Sequence, residues 1–386
     1  MAIDFALTDE QLAMQALARD FASSEMRSRA ADADEREELP GEVIEKAAAV
    51  GLTSLGIPSE YGGAGLDPVS MAVVSEELFW GDAGMATSIE ANQLAIEPLL
   101  IAGTDEQKRE FVPRLTDPTH PTLAALALTE PGAGSDVAGL RTTATRDGSD
   151  YVLNGTKTFI TNGGIAELYT VWATVDRNLG YRGIVGFVVE GSSPGLSQGA
   201  KYKKHGIRSS HTAEVIFDEV HVPENNRLGE EGEGFLIIMQ TLDHTRAGIA
   251  AGAVGIARAA FEAALAYAKD RNAFGKPLIA QQAISFMLAD MATKVHAGRQ
   301  LYLYAAWKGA RGEPNSLESS MAKAYCGDIA MEVALDAVQI HGGYGYMREY
   351  PVERYLRDAK IMQIYEGTQQ IQRLVIAGNL MNVTTA

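Results

Sequence analysis

The chain has 386 residues, with 50 acidic and 33 basic side chains and a formal net charge of −17. That length buries a large core over two or three domains, and 46% hydrophobic with 22% charged residues excludes a disordered or fibrous chain. So acidic a field repels phosphate backbones and anionic lipid, so no nucleic-acid partner and no membrane partner is expected.

The opening MAIDFALTDE has neither the basic start nor the apolar run of a secretion signal, and it is too acidic for a transit peptide. The expected location is cytoplasmic, or the mitochondrial matrix if a transit peptide has been removed. The single cysteine, Cys326, forms no internal disulfide and suits a reducing compartment. Thr8 and Gln11 make a capping box, and Leu12, Met14, Leu17 and Phe21 follow at helical spacing, so a helix comes first. Helices are expected through residue 119. From 120 to 228, β-prone runs at 151–153, 169–175, 184–189 and 213–217 alternate with the turn pairs Asp147-Gly148, Asn154-Gly155 and Asn162-Gly163, which predicts an antiparallel β domain. From 229 to 386 the chain is Ala-rich and helix-periodic, in long stretches near 234–270, 279–311, 315–340 and 351–380. The small-residue run at 247–257, between Arg246 and Arg258, is far short of the roughly 20 residues of a membrane helix and reads as tightly packed. The expected fold class is therefore α+β: an N-terminal helical domain, a middle antiparallel β domain and a C-terminal four-helix bundle.

Several strings carry chemistry. In ALTEPGAGSDVAG, residues 127–139, Gly132 and Gly134 lie between Thr129 and Ser135, where backbone amides can approach a flat or anionic ligand; the alternative is an ordinary surface turn. It is not a dinucleotide fingerprint, because Val137 stands where the closing glycine belongs. In QIHGGYG, residues 339–345, Gly342 and Gly343 either admit a pyrophosphate at a helix end or cap the helix. Glu366 in IYEGTQQIQR sits among Ile361, Ile364 and Ile371; a carboxylate in such company has a raised pKa and serves as a base, unless it is solvated surface. Gly191-Ser192-Ser193-Pro194-Gly195 matches a hydrolase elbow, but Pro194 has no N–H to offer an oxyanion. The seven histidines show no metal-ligand spacing, so no metal is expected.

Taken jointly, ALTEPGAGSDVAG, the run QIHGGYGYMREYPVERYLRD from Gln339 to Asp358, DRNAFGKPL and IYEGTQQIQR resemble the acyl-CoA dehydrogenase family along essentially the whole chain, closest in appearance to its medium-chain and short-chain branches. The resemblance implies an FAD flavoprotein, assembled as a homotetramer, that desaturates an acyl-CoA in fatty acid β-oxidation and passes electrons to an electron-transferring flavoprotein. It assigns the flavin ring to Leu128, Thr129, Gly134, Ser135, Phe159 and Thr161. The rest of the cofactor falls to Arg271, Phe274, Gln282, Gln339, Gly342 and Gly343 of a neighbouring subunit, with Thr368 and Gln370 following the base. Glu366 matches the catalytic base. Some branches carry the base just before the arginine of LDHTRAGIA, but this chain has Thr245 there. Asp243 and Arg246 match contacts to the coenzyme A arm, and Ser135, Tyr365 and Gly367 match residues around the substrate. Glu90 matches the floor of the acyl pocket, and Ala86, one turn earlier, would deepen it. Phe159 stands where many members have tryptophan, which keeps the stacking surface and loses the indole N–H. A flavin-dependent oxidase, or a non-catalytic flavin- or acyl-binding protein on the same fold, is the alternative.

Overall fold

The computed structural model describes residues 6–381. Six helices come first: α1 (Asp9–Phe21), α2 (Ala30–Arg36), α3 (Gly41–Ala49), α4 (Pro68–Gly81), α5 (Ala83–Ala102) and α6 (Asp105–Phe111). The Thr8–Gln11 capping box is present at the start of α1. Asp67 starts α4 by accepting from the Val69 and Ser70 amides at 2.7 and 2.9 Å, with Pro68 in the first turn, where a missing N–H costs nothing. Asp82 caps α5 in the same way through Met85 N. Most of α4 and the first half of α5 are buried, so these helices are central struts and not a surface layer.

The middle segment forms one sheet from β1 (Ala124–Ala127), β2 (Thr143–Asp147), β3 (Asp150–Thr161), β4 (Leu168–Thr174), β5 (Ile184–Glu190), β6 (Leu196–Lys201), β7 (Thr212–Val222) and β8 (Arg227–Leu228). Its order is β6-β7-β3-β2-β4-β5-β8, with β1 added alongside β4. Most ladders are antiparallel, as expected. β1 and β4, however, run parallel from Ala124↔Leu168 to Ala127↔Val171, and β2 meets β4 in a parallel bridge at Thr143↔Thr174, so the sheet is mixed. The long connection after β1, which holds the 128–142 loop and the β2–β3 hairpin, is the crossover that a parallel pair requires.

Asp147-Gly148 does turn the chain, with Gly148 at φ 63 between the paired Asp147 and Asp150. Asn154-Gly155 does not. It lies inside β3 at a bulge against β7, where the Asn154 side chain accepts from the Glu219 amide at 2.9 Å. A Cβ on Gly155 would fall 2.4 Å from Thr142 Oγ1, so close strand approach, not turn formation, fixes this glycine.

The C-terminal segment contains α7 (Gly234–Asp270), the short pair β9 (Asn272–Ala273) and β10 (Lys276–Pro277), then α8 (Gln282–Ala310), α9 (Ser316–His341), α10 (Val352–Ala359) and α11 (Gln369–Leu380). By length and apolar content α7 would pass for a membrane span, but most of that stretch is buried inside the protein against α4, α8 and α9. Its small residues allow this. A Cβ on Gly255 would lie 2.3 Å from the Glu76 carbonyl oxygen, so the α4 backbone rests directly on α7 there.

Buried charges tie these helices in register. Arg258 of α7 grips Glu77 of α4 with its two terminal guanidinium nitrogens, at 2.9 and 2.6 Å. Arg299 and Tyr302 of α8 both hold Glu76. Removing one partner from such a pair typically costs about 3–5 kcal/mol, because the other charge stays buried.

The expected long helix over 351–380 is two helices. Between α10 and α11 the chain makes a 3₁₀ turn over Lys360–Gln363 and then an irregular loop that carries Glu366.

Candidate active site

The loop before α11 explains why Glu366 is special. Glu366 adopts φ 49 and Gly367 φ 90, so the chain leaves the right-handed region for two consecutive residues. A non-glycine residue there is strained, and such strain persists only when neighbours hold it. They do: Gln372 Nε2 donates to the carbonyls of Glu366 and Gly367 at 3.1 and 3.2 Å, and Lys323 Nζ donates to Gly367 O at 2.6 Å. Thr368 then caps α11 by accepting from Ile371 N. The Glu366 backbone N–H makes no hydrogen bond among the described residues.

The Glu366 carboxylate accepts from Thr245 Oγ1 at 2.9 Å, across from α7. Burial raises its pKa above the ordinary carboxylate value, against the opposing pull of that hydrogen bond and of the Lys323 and Arg246 charges. Burial in turn lowers Lys323 to about 8. A carboxylate whose pKa burial has raised is a stronger base than a solvated one. Thr245 thus serves Glu366 as a hydrogen-bond donor.

Glu90 and Tyr365 belong to the same cluster, each coupled electrostatically to Glu366. Tyr365 is partly buried, its hydroxyl near Met362 Sδ at 3.2 Å. Ala86 is fully buried in the core and offers no open side-chain surface to deepen a pocket. Arg246 is also buried, paired with Asp243 and with Ser320 Oγ at 3.3 Å, while Asp243 accepts from Ser316 Oγ at 3.1 Å. Of this pair, Asp243 keeps the more exposed side chain, whereas Arg246 faces inward and acts on Glu366.

The residues assigned to the flavin ring gather on the sheet. Leu128 and Thr129 follow β1, and Thr158 N donates to Thr129 O at 2.8 Å. Lys157, fully buried, donates to Leu128 O at 3.0 Å and to Glu130 Oε1 at 2.8 Å. Glu130 also accepts from the amides of Arg141 and Thr142 at 2.6 and 2.8 Å. This clamp shapes the turn that presents Gly134 and Ser135, both exposed. Thr161 is partly buried, whereas Phe159 is 64% exposed, at φ 58, with its ring 4.9 Å from that of Tyr202. Sequence reasoning did not single out the Lys157–Glu130 clamp; the available signal was a lone lysine in the interior of a β-prone run.

The second group lies on the helical segment. Arg271 ends α7 with the Tyr344 ring 5.8 Å from its guanidinium, and Phe274 is 96% exposed on the β9–β10 hairpin. Gln282 opens α8 and Gln339 lies in the last turn of α9, both exposed. Gly342 and Gly343 are open enough that an added Cβ would touch nothing within 4 Å. Thr368 and Gln370 line a shallow cavity with Asp328, Lys360, Gln363 and Arg373. No hydrogen bond, ion pair or ring contact joins this group to the sheet group among the described residues. Each half presents open backbone and an exposed ring, and Arg271 adds a cation, which fits a long flat anionic cofactor shared between two surfaces. Among the described residues no His, Cys, Asp and Glu cluster could hold a metal ion.

A half-buried carboxylate of raised pKa, together with an open, glycine-lined sheet face, suits a flavoprotein that oxidises a C–H bond. The chain matches the acyl-CoA dehydrogenase N-terminal, middle and C-terminal domains over residues 8–118, 125–220 and 232–381. It is 47% identical over 379 residues to an acyl-CoA dehydrogenase of Bacillus subtilis, covering 98% of this chain and 100% of that one. The solved butyryl-CoA dehydrogenase of Megasphaera elsdenii superposes with a TM-score of 0.96 at 44% identity, covering 98% of this chain and 100% of that one. A structure from work on the electron transferring flavoprotein of Acidaminococcus fermentans gives 0.96 at 43% identity, with the same coverage. The chain belongs to the acyl-CoA dehydrogenase family. It is an oxidoreductase and an FAD flavoprotein, and the family's general reaction is the FAD-dependent dehydrogenation of an acyl-CoA.

Proposed function

We propose that this chain converts a saturated acyl-CoA thioester to the trans-2-enoyl-CoA, with Glu366 removing the α proton. The observation that carries this is the Glu366 carboxylate itself: half-buried, held by Thr245 at 2.9 Å, and raised in pKa by desolvation. An α C–H beside a thioester is weakly acidic, and a carboxylate with little water around it is a stronger base than one in solution. The unpaired Glu366 N–H suits the thioester oxygen as it gains charge, which lowers the cost of forming an enolate. FAD, when bound, supplies the acceptor for hydride leaving the β carbon. Leu128, Thr129, Gly134, Ser135, Phe159 and Thr161 would hold its ring portion. Arg271, Phe274, Gln282, Gln339, Gly342, Gly343, Thr368 and Gln370 of a neighbouring subunit in a homotetramer would hold the remainder. Ser135, Tyr365, Gly367 and Asp243 would border the substrate, with Arg246 acting behind Asp243.

The acceptor proposed for the electrons is an electron-transferring flavoprotein, and the pathway β-oxidation of fatty acids; the similarity to the Acidaminococcus fermentans structure supports the first. The test is anaerobic incubation of the purified holoprotein with acyl-CoA thioesters of graded length, with products analysed by mass and absorbance. Flavin bleaching with formation of a product two hydrogens lighter is expected. Bleaching by none of them, or hydrolysis to free coenzyme A, would overturn the reading.

A further inference from the structure

Lys323 of α9 is buried, and its ammonium has one hydrogen bond among the described residues, to the Gly367 carbonyl oxygen at 2.6 Å, and no ion pair. Holding an unpaired ammonium away from water is costly, and that cost shows as a pKa brought down by burial to about 8. The place of this charge gives it a use. Helix α9 is the bed of the loop that carries Glu366: a Cβ on Gly327 would lie 2.7 Å from the Met362 carbonyl oxygen, and Gln369 Nε2 donates to Ala324 O at 2.6 Å and to Asp328 Oδ1 at 2.8 Å. Those contacts fix the loop before and after the base. Between them the left-handed pair Glu366 and Gly367, at φ 49 and 90, is held by Gln372 and Lys323. Gly367 O already has Gln372 Nε2 as a donor at 3.2 Å, so what the lysine adds is charge. The charges that face it are Glu366 on the loop, which acts on it most strongly, then Arg246 on α7 and Asp328 on its own helix.

We propose that Lys323 is a positioning residue for the base: its ammonium pins the Glu366–Gly367 turn through Gly367 O, and its field favours the ionised carboxylate without touching it. What the base does to a substrate rests on the acyl-CoA reading above; the effect of Lys323 on the Glu366 carboxyl does not. An ammonium bonded to the carboxylate itself would hold its proton affinity down and occupy an oxygen. Bonded to the next carbonyl, it leaves Thr245 as the donor to Oε2, while Oε1 has no hydrogen-bond partner among the described residues and is open to an incoming proton. Lys323 is charged below about pH 8 and neutral above it, so the field and the charge-assisted bond to Gly367 O are both lost as pH rises. The sign for stability runs the other way. A lysine whose folded pKa is lowered binds fewer protons in the folded than in the unfolded chain above about pH 8, so the buried charge opposes folding below that pH and the opposition fades above it. Removing the charge should therefore spare the fold and harm the site. Glu90 on α5, pushed up to about 8 by burial, is also coupled to Glu366, but it stands on another helix and a change at Lys323 leaves its titration in place.

The test uses holoprotein carrying Lys323→Met, with Lys323→Gln, which keeps a donor and drops the charge, as a second variant if the first folds poorly. Infrared difference spectroscopy across a pH titration follows the C=O stretch of the protonated Glu366 carboxyl, recognised by its absence from Glu366→Gln. Its midpoint is expected at higher pH in both variants than in wild type. Unfolding in urea at pH 7 is expected at an unchanged or higher midpoint in Lys323→Met. At the same pH, kcat/KM for an acyl-CoA is expected to fall by up to roughly 100-fold, the loss that follows a misplacement of about 1 Å. The wild-type decline above about pH 8 should be smaller or absent in the variants, because the group responsible is gone. An unmoved Glu366 midpoint would overturn the influence of Lys323 on the base. A lowered unfolding midpoint with kcat/KM unchanged would make Lys323 a packing residue, and an alkaline decline of wild-type size in both variants would overturn its part in the pH dependence. If no thioester bleaches the flavin, the acyl-CoA reading fails while the infrared and unfolding arms still decide what Lys323 does to Glu366.

Discussion

At the scale of single residues, the site is built on a carboxylate that is costly to bury. Thr245 offsets part of that cost with one hydrogen bond to Glu366, so its removal has a defined sign. The base must be ionised to accept a proton, so kcat/KM rises with pH through the Glu366 pKa, which burial has already raised. Thr245→Val keeps the shape and removes the donor to the carboxylate. At roughly 1 kcal/mol for the lost bond, the acid limb should move upward by roughly 0.5–1 in pH. A pH profile of kcat/KM checks this, and an unmoved or lowered limb would mean that the hydroxyl does not stabilise the ionised form. The raised pKa of Glu366 was legible in the sequence through its apolar neighbours. Its strained backbone was less so, although Gly367 followed by the capping residue Thr368 signals a helix ending and another beginning. Ala86 was misread as cavity lining: α5 carries Glu90 to the site, but its tight packing seals Ala86 inside the core.

At the scale of elements, the sheet face depends on the Lys157–Glu130 clamp beneath the 128–135 turn. Lys157→Met would leave Glu130 buried with no cation, though the Arg141 and Thr142 amides would remain. Loss of about 3–5 kcal/mol of stability is expected, together with weaker flavin retention. Denaturant unfolding of the apoprotein and the flavin-to-protein absorbance ratio measure the two effects. An unchanged midpoint with full flavin content would show that the clamp is dispensable. Helices with strong periodicity, such as α7 and α9, fell where their patterns put them. The parallel β1–β4 pair did not show, because pairing partners far apart in sequence leave no local trace in strands this short. Asn154-Gly155 misled for a related reason: the dipeptide that closes a hairpin also suits a bulge, and only the neighbouring Thr142 backbone decides between them.

At the scale of the whole molecule, a long cofactor has its two sets of assigned residues on faces of one chain that make no contact with each other. A second subunit would bring them together, so assembly and flavin binding should be linked. Arg271→Ala removes the cation at the end of α7 and is expected to lower flavin content and, with it, the fraction of tetramer. Absorbance and light scattering after size exclusion report both quantities. A fully loaded, unchanged tetramer would show that Arg271 does not hold the cofactor, and a wild-type monomer with full flavin would break the link itself. The three-part architecture was readable from texture alone, whereas the split of the cofactor residues between two faces came only through the family resemblance, because no local pattern in the chain signals a site shared between subunits. The central claim remains that Glu366 takes the α proton. Anaerobic stopped-flow mixing of Glu366→Gln holoprotein with the best acyl-CoA substrate tests it most directly. The account predicts a normal flavin spectrum before mixing and bleaching slowed by at least roughly 10²–10⁴ relative to wild type. Bleaching at a near-wild-type rate would contradict it.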